Sequence, residues 1–256
     1  KKLKKNILIV GGSGKLATFL INNLIEKNNL IILSRKKKIF LHKTNKKFHF
    51  YKCELENEKK LSRIISKIKI RFKKIDILIF VSAIHGKIAS FDKISLKEYK
   101  KIFQINFFSF LKIIQTLLEN LKRGKNGSVI VFSGGGVTFQ RPLFSGYSCS
   151  KISLVKFIET ISSELKKYSI NINAIAPGVI DSRLFRESQK FETNENVIFG
   201  KKSKILNLIK FLVQKKNKKI TGKLLSAQWD DIKKMKLTNQ SSDSYTLRRL
   251  KHKKIR

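Results

Sequence analysis

Proline and cysteine are nearly missing from this chain, with 2 of each in 256 residues, alongside 1 Trp and 1 Met. Cys53 and Cys149 lie far apart and offer neither a disulfide framework nor a metal-ligand spacing, so a reducing, cytoplasmic setting is the expectation. No stretch rich in Pro, Gly or Ser divides the chain into separate domains. No run approaches the ~20 apolar residues needed to span a bilayer. The opening Lys1-Lys2-Leu3-Lys4-Lys5 leads straight into a strand, which leaves no room for a signal peptide. Acidic residues are also scarce, 17 against 57 Lys+Arg, for a net charge of +40. At 41% hydrophobic residues the chain is nonetheless too apolar to remain a disordered polyelectrolyte.

That charge invites a nucleic-acid reading, because dense basic surface is the footprint of phosphate binding. The cations, however, are spread along the chain without an arm, a stripe or a DNA- or RNA-binding motif. They also belong to a wider skew, 35 Ile against 6 Ala and 47 Lys against 10 Arg. A bias toward A/T-rich codons explains the whole set, whereas polyanion binding explains only Lys and would favour more Arg. We therefore read a solvated basic surface with no nucleic-acid partner, a polyanion-binding protein being the alternative.

Short apolar runs alternate with helical patterns. Strands are expected at Ile7–Val10, Leu30–Leu33, Phe48–Tyr51, Ile75–Val81, Ser128–Phe132, Ile170–Ile175 and Gly222–Ala227. Helical spacing recurs over Leu16–Leu24 and Leu61–Ile68, from about Leu96, and over Tyr147–Leu165 and Lys204–Val213. This alternation predicts an α/β fold, a Rossmann-type doubly wound parallel sheet of about seven strands with its crevice at their carboxyl ends. A single domain over 1–234 and a short basic C-terminal extension over 235–256 are expected, with a variable segment near 183–203.

The first strand runs into Gly11-Gly12-Ser13-Gly14-Lys15-Leu16-Ala17, where glycines and a helix N-terminus suit a pyrophosphate. After the second strand, where an acid would meet a free ribose 2′-hydroxyl, stand Ser34-Arg35-Lys36. A neutral residue followed by cations suits a 2′-phosphate, so NADP(H) is favoured over NAD(H). Further on, Tyr147 and Lys151 stand four apart and share a helix face. A neighbouring ammonium favours phenolate and brings a tyrosine toward working pH as a proton donor or acceptor.

In this order the motifs resemble the short-chain dehydrogenase/reductase family, from about residue 6 to residue 227. Gly11, Gly14 and Ala17 match its glycine-rich turn, and Glu54-Leu55 its adenine-pocket pair. Ile75-Asp76-Ile77-Leu78-Ile79 matches the lead-in to strand four, and Asn106 the helical Asn that holds a water beside the catalytic Lys. Tyr147 and Lys151 match the catalytic pair, and Asn173-Ala174-Ile175-Ala176-Pro177-Gly178 the segment bordering nicotinamide. The resemblance implies that Lys151 also binds the nicotinamide ribose and that Val179, Ile180 and Ser182 lie near the carboxamide. It further implies that helices around 96–120 and 147–165 pair subunits into a homodimer or homotetramer.

Two departures stand out. Phe80-Val81-Ser82-Ala83 replaces the usual Asn-Asn-Ala-Gly, with Ser82 and Ala83 keeping the small size that the adenosine side needs. The family's serine spacing, about thirteen before Tyr, falls on Gly134. Ser133 is assigned to polarise the substrate carbonyl, swinging in on the glycines, with Thr138 in reserve. The ending Leu225-Ser226-Ala227-Gln228-Trp229, with Ser133-Gly134-Gly135-Gly136 and Arg141-Pro142, looks like a subgroup encoded among surface-polysaccharide or glycan genes. Arg141, Arg183 and Arg186 would then suit an anionic substrate, while Trp229 is expected to anchor the tail. His42, His49, His85 and His252 show no ligand spacing, so no metal is proposed. His85 reads as a loop residue without a role, contact with cofactor or substrate being the alternative. The expected function is an NADP(H)-dependent oxidoreductase interconverting a carbonyl and an alcohol, on a keto sugar or 3-oxoacyl-type substrate. Tyr147 is its proton donor, Lys151 and Ser133 assist, and Asn106 supports a water-linked proton path. The alternative in another class is a non-catalytic dinucleotide-binding protein.

Overall fold

The computed structural model describes residues 4–36, 48–192, 197–231, 234 and 244–247. Its strands are β1 (Asn6–Val10), β2 (Asn29–Ser34), β3 (His49–Lys52), β4 (Ile77–Phe80), β5 (Ser128–Phe132), β6 (Asn171–Ala176) and β7 (Leu224–Ser226). The helices are α1 (Lys15–Leu24), α2 (Glu58–Arg71), α3 (Leu96–Phe103), α4 (Ser109–Lys122), α5 (Ser145–Lys166), α6 (Arg183–Ser188) and α7 (Lys202–Leu212). All strands pair in parallel in the order β3-β2-β1-β4-β5-β6-β7. The order reverses between β1 and β4, so helices cover both faces and the loops splay apart there.

Isoleucine-rich runs form these strands because β-branched side chains suit a pleated surface buried on both sides. Leu8, Ile9 and Val10 are wholly buried and their side chains alternate between two cores. Leu8 and Val10 pack with Leu61 and Ile65 of α2, Ile113 of α4 and Leu154 of α5. Ile7 and Ile9 pack with Leu20 of α1 and Ile209 of α7 on the opposite face. Side-chain caps start α2 and α3: Asn57 accepts from the Lys60 N–H at 2.9 Å and Ser95 from the Glu98 N–H at 3.3 Å.

The structure differs from the sequence expectations in three places. The fourth strand is confined to Ile77–Phe80 rather than 75–81, and just before it the Asp76 carboxylate accepts the Asn6 N–H at 2.8 Å, tying the starts of β1 and β4. The helix expected from Leu96 is broken by a π-helical turn, Gln104–Phe108, which inserts a residue between α3 and α4 and re-aims Asn106 inward. Residues 183–188 form α6, whose N-cap Ser182 accepts from the Phe185 N–H at 3.2 Å.

At the amino ends of the strands Lys218 closes the sheet. Its ammonium donates to the Asn126 and Gly127 carbonyls (both 2.7 Å), Ser128 Oγ (2.6 Å) and Asn171 Oδ1 (2.8 Å). Lys218→Met would leave these acceptors short of a charged donor. Urea unfolding is expected to show a loss of about 2–4 kcal/mol, since unmet partly buried polar groups cost ~1–3 kcal/mol each.

Candidate functional site

At the carboxyl ends of the strands lies a cleft of about 1090 Å³. It exists because β1 and β4 almost touch where their loops diverge. Gly11 has φ +96°, and a Cβ there would stand 2.6 Å from the Ser82 backbone nitrogen. Only glycine fits, on both counts. Gly14 differs: a Cβ there would meet nothing within 4 Å. Gly14 is also the N-cap of α1 and makes no side-chain cap, so the first amides of that helix face an open cradle. Such a cradle fits a pyrophosphate.

The adenosine-side expectations gather along the same cleft. Ser13, Lys15 and Leu16 line it with Ser34, Arg35, Glu54, Leu55, Ser82 and Ala83. Ser34 is buried and its hydroxyl lacks a hydrogen-bond partner, whereas Arg35 is exposed beside it. A hydroxyl and a guanidinium side by side, neither with a hydrogen-bonding or acidic partner among the described residues, fit a ribose phosphate. Pro177, Gly178, Val179, Ile180 and Ser182 line the far side. The groove thus fits a dinucleotide along its length.

Tyr147 sits in the first turn of α5 and Lys151 one turn on, both buried at the cleft. The Tyr147 hydroxyl has no hydrogen-bond partner among the described residues and is not enclosed, so it opens into the cleft. Burial pushes this phenol up to about 12, against an opposing pull from Arg141. Lys151 donates to the Phe132 carbonyl at 2.9 Å, and burial lowers it to about 7. Its ammonium lies 6.0 Å from the centre of the Tyr147 ring. Among the protein's own groups desolvation is the largest influence on this phenol, so it stands above its ordinary value rather than below it as expected.

Asn106 stands behind the cleft, fully buried. Its Oδ1 accepts from the Ile84 N–H, and its Nδ2 donates to the Ile84 carbonyl and to Ser150 Oγ, all at 2.9 Å. Both amide hydrogens are thus committed to protein, and the side chain fixes residue 84. Ser150 Oγ in turn donates to the Tyr147 carbonyl at 2.7 Å. One buried amide thereby joins the β4 loop to α5.

Ser133 lines the cleft, but its hydroxyl is buried and has no hydrogen-bond partner. The expected swing toward Tyr147 is not seen. The Ser133 N–H still bonds the Ile175 carbonyl at 2.9 Å, continuing the ladder and keeping residue 133 in strand register. The next residue points the other way, and a Cβ at Gly134 would overlap the Tyr147 hydroxyl. Thr138 is exposed at the rim. His85, expected as a loop residue without a role and with contact to cofactor or substrate as the alternative, is buried with its ring edge-on to Tyr147, centroids 4.6 Å apart. Its place just after strand four was the one signal for it.

The three arginines expected to suit an anion are each met by an acid. Arg141 makes a bidentate pair with Glu192, at 2.8 and 2.7 Å. Arg186 pairs with Asp181 at 3.1 Å and Arg183 with Glu187 at 3.5 Å. Asp181 also binds Lys15, and hydrogen bonds from Lys15 and then Arg186 hold its carboxyl below the usual range. Trp229 is 81% exposed at the cleft mouth, and most of the tail it was expected to anchor lies outside the described residues. Tyr245 instead brings 244–247 onto the sheet, its carbonyl accepting the Leu224 N–H at 2.8 Å. Among the described residues no cluster of His, Cys, Asp or Glu could hold a metal, and no helix is long and apolar enough to cross a membrane.

Comparison with known proteins gives a consistent picture. The short chain dehydrogenase family model matches residues 5–193. An uncharacterized oxidoreductase of Schizosaccharomyces pombe is 27% identical over 130 residues, 51% of each chain, so the match spans about half of that relative. The (S)-benzoin-forming benzil reductase of Saccharomyces cerevisiae is 24% identical over 196 residues, 72% of this chain and 74% of that one. Among solved structures, ElxO with NADP bound superposes with a TM-score of 0.77 at 20% identity, covering 88% of this chain and 97% of that one. That likeness shows the fold.

The two glycines of the turn separate folding from binding. Gly11→Ala combines a positive φ with a backbone clash and is expected to cost more than about 2 kcal/mol by thermal or urea unfolding. Gly14→Ala meets open space and extended backbone, so stability should move by less than about 1 kcal/mol. Its methyl would nevertheless stand in the cradle, and dinucleotide affinity by fluorescence titration should fall at least about tenfold, ~1.4 kcal/mol.

Proposed function

The chain belongs to the short-chain dehydrogenase family, and from that premise we propose that it interconverts a carbonyl and an alcohol with NADP(H), Tyr147 moving the proton. The observation that carries this reading is the Tyr147 hydroxyl, unpartnered and open to the cleft that holds the glycine cradle, one helical turn from Lys151. Nicotinamide, when bound, supplies or accepts the hydride. The chain's part is to bind, orient and transfer the proton. Gly11, Ser13, Gly14, Lys15 and Leu16 receive the pyrophosphate, with Glu54, Leu55, Ser82 and Ala83 around adenosine. Ser34 and Arg35 take the 2′-phosphate. Lys151, Pro177, Gly178, Val179, Ile180 and Ser182 border the nicotinamide half.

With the phenol raised to about 12, Tyr147 is protonated at neutral pH. A neutral phenol is the form that can donate the proton in carbonyl reduction. Lys151, buried and lowered to about 7, is divided between ammonium and amine near neutrality. Its ammonium form is the one that stabilises charge on Tyr147 after the proton leaves. The substrate end is walled by Phe139, Val179, Phe185 and Trp229, with Arg141 paired to Glu192, Arg183 to Glu187, and Arg186 sharing Asp181 with Lys15. These walls favour an uncharged carbonyl compound, such as a keto sugar or 3-oxoacyl-type compound, over a sugar phosphate. Self-association through α4 and α5 accompanies the reading, supported by the exposure of Phe108 and Ile152.

Glycine at 134, with no hydroxyl facing Tyr147, favours one rival: a dinucleotide-binding protein without turnover. The decisive experiment follows reduced nicotinamide absorbance over a panel of carbonyl compounds. Tyr147→Phe should lower turnover by about 10²–10⁴-fold while NADPH affinity stays within about threefold, ~0.6 kcal/mol. Binding of NADPH with no hydride transfer to any carbonyl would establish the rival. Arg35→Ala should weaken NADPH about tenfold or more, the loss of a charge-assisted bond, and leave NADH unchanged. Below a Lys151 value of about 7 the ammonium persists and above it is lost, so the reductive rate should be level on the acid side and decline as pH rises past about 7.

A further inference from the structure

We propose that His85 is the hydrogen-bond donor that holds the substrate oxygen beside Tyr147, filling the place of the hydroxyl that position 134 lacks. The proposal rests on the carbonyl–alcohol reading above and adds a residue to it. Four observations lead there.

The first is location. The His85 ring lines the cleft and stands edge-on to Tyr147 at 4.6 Å and to Phe144 at 5.1 Å between centroids. The second is rigidity. Asn106 grips both backbone groups of Ile84, and Gly86, at φ +72°, packs so tightly on Ile102 that a Cβ there would overlap it. His85 is therefore held between two fixed neighbours, as a preorganised donor must be. The third is vacancy at the usual sources of a donor: Gly134 faces Tyr147 without a side chain, and the Ser133 hydroxyl is enclosed without a partner.

The fourth is the state of the ring. His85 Nδ1 is enclosed and has no hydrogen-bond partner; Nε2 makes no hydrogen bond among the described residues and is not enclosed, so it meets the cleft. A neutral imidazole has one N–H. An orphaned buried donor is rarer than an under-used acceptor, which assigns the proton to Nε2, facing the substrate. The charged and titratable groups around the ring are Arg141, Lys151 and Arg183, with Tyr147 in contact. Burial first, then these cations, lowers His85 to about 3, so the ring remains neutral through the working pH range. In reduction, the hydride forms the new C–H bond, the carbonyl π pair moves to oxygen, and the Tyr147 O–H proton completes the alcohol. His85 polarises that oxygen and keeps its own proton throughout.

The test compares His85→Met with His85→Gln, side chains of similar length that differ in the N–H, together with Tyr147→Phe. Turnover on a reducible carbonyl, NADPH affinity and thermal unfolding are measured for each. His85→Met should lose about 10²-fold in kcat, the scale of one missing oxyanion-type donor. NADPH affinity should stay within twofold (~0.4 kcal/mol). His85→Gln should recover at least about tenfold of the loss, and its pH profile should match the wild type because the imidazole does not titrate there. Wild-type turnover in His85→Met, with Tyr147→Phe inactive, would overturn the proposal and leave the reading standing. So would a wild-type inflection near the ordinary imidazole value that vanishes in His85→Gln. Full turnover in Tyr147→Phe, or no hydride transfer by the wild type, would bring down the reading and the proposal with it. Because His85→Gln keeps polarity and length, equal loss of turnover in both His85 variants with unchanged unfolding also counts against the donor role.

Discussion

The approach of β1 to β4 at Gly11 and Ser82 is the constraint on which the rest depends. Two parallel strands meet there with no room for a side chain, and the sheet order reverses at that seam. Reversal sends successive crossovers to opposite sides, so the loops part and leave the crevice open. The amides of α1, the end of β2, the β4 loop, the start of α5 and the segment after β6 all arrive at its rim because parallel strands end on one side. Ser34, Tyr147 and Ser182 thereby line one cavity.

Burial then decides the electrostatics. Tyr147, Lys151 and His85 are all taken out of water at the same end of the cleft, and each moves toward its neutral form. The site is prepared with a neutral acid, a lysine shifted toward its amine and a neutral ring, although the chain as a whole has a net charge of +40. Ion pairs at the opening act in the same direction: Glu192 and Glu187 offset Arg141 and Arg183, and Asp181 is shared by Arg186 and Lys15. These pairs are partly exposed, so their value lies in setting local charge more than in stability.

A single amide links the backbone to this chemistry. Asn106 is presented by a π-helical turn, and its side chain holds the β4 loop on one side and Ser150 of α5 on the other. Tyr147 and His85 thus owe their mutual position to the same group. The surplus residue of a π turn is unfavourable in isolation and recurs at functional places for this kind of reason.

Much of the fold was readable in advance, because strands buried on both faces must be apolar runs and covering helices must repeat at three and four residues. The glycine turn, the Ser34-Arg35 pair and Tyr147 with Lys151 were legible for a related reason: their spacing is local. Ser133, Arg141, Trp229 and His85 were not, since each depends on what lies across the cleft. Strand alternation turns Ser133 from the tyrosine, a distant glutamate neutralises Arg141, and an amide 22 residues away from Ile84 sets the place of His85. The amino-acid order by itself determined the elements, their parallel arrangement and the end of the sheet where chemistry gathers, because periodicity and turn geometry act over a few residues. Which side chain faces the reacting group, and in what protonation state, was decided only by the tertiary structure, because burial and partnership belong to residues that the chain brings together from far apart.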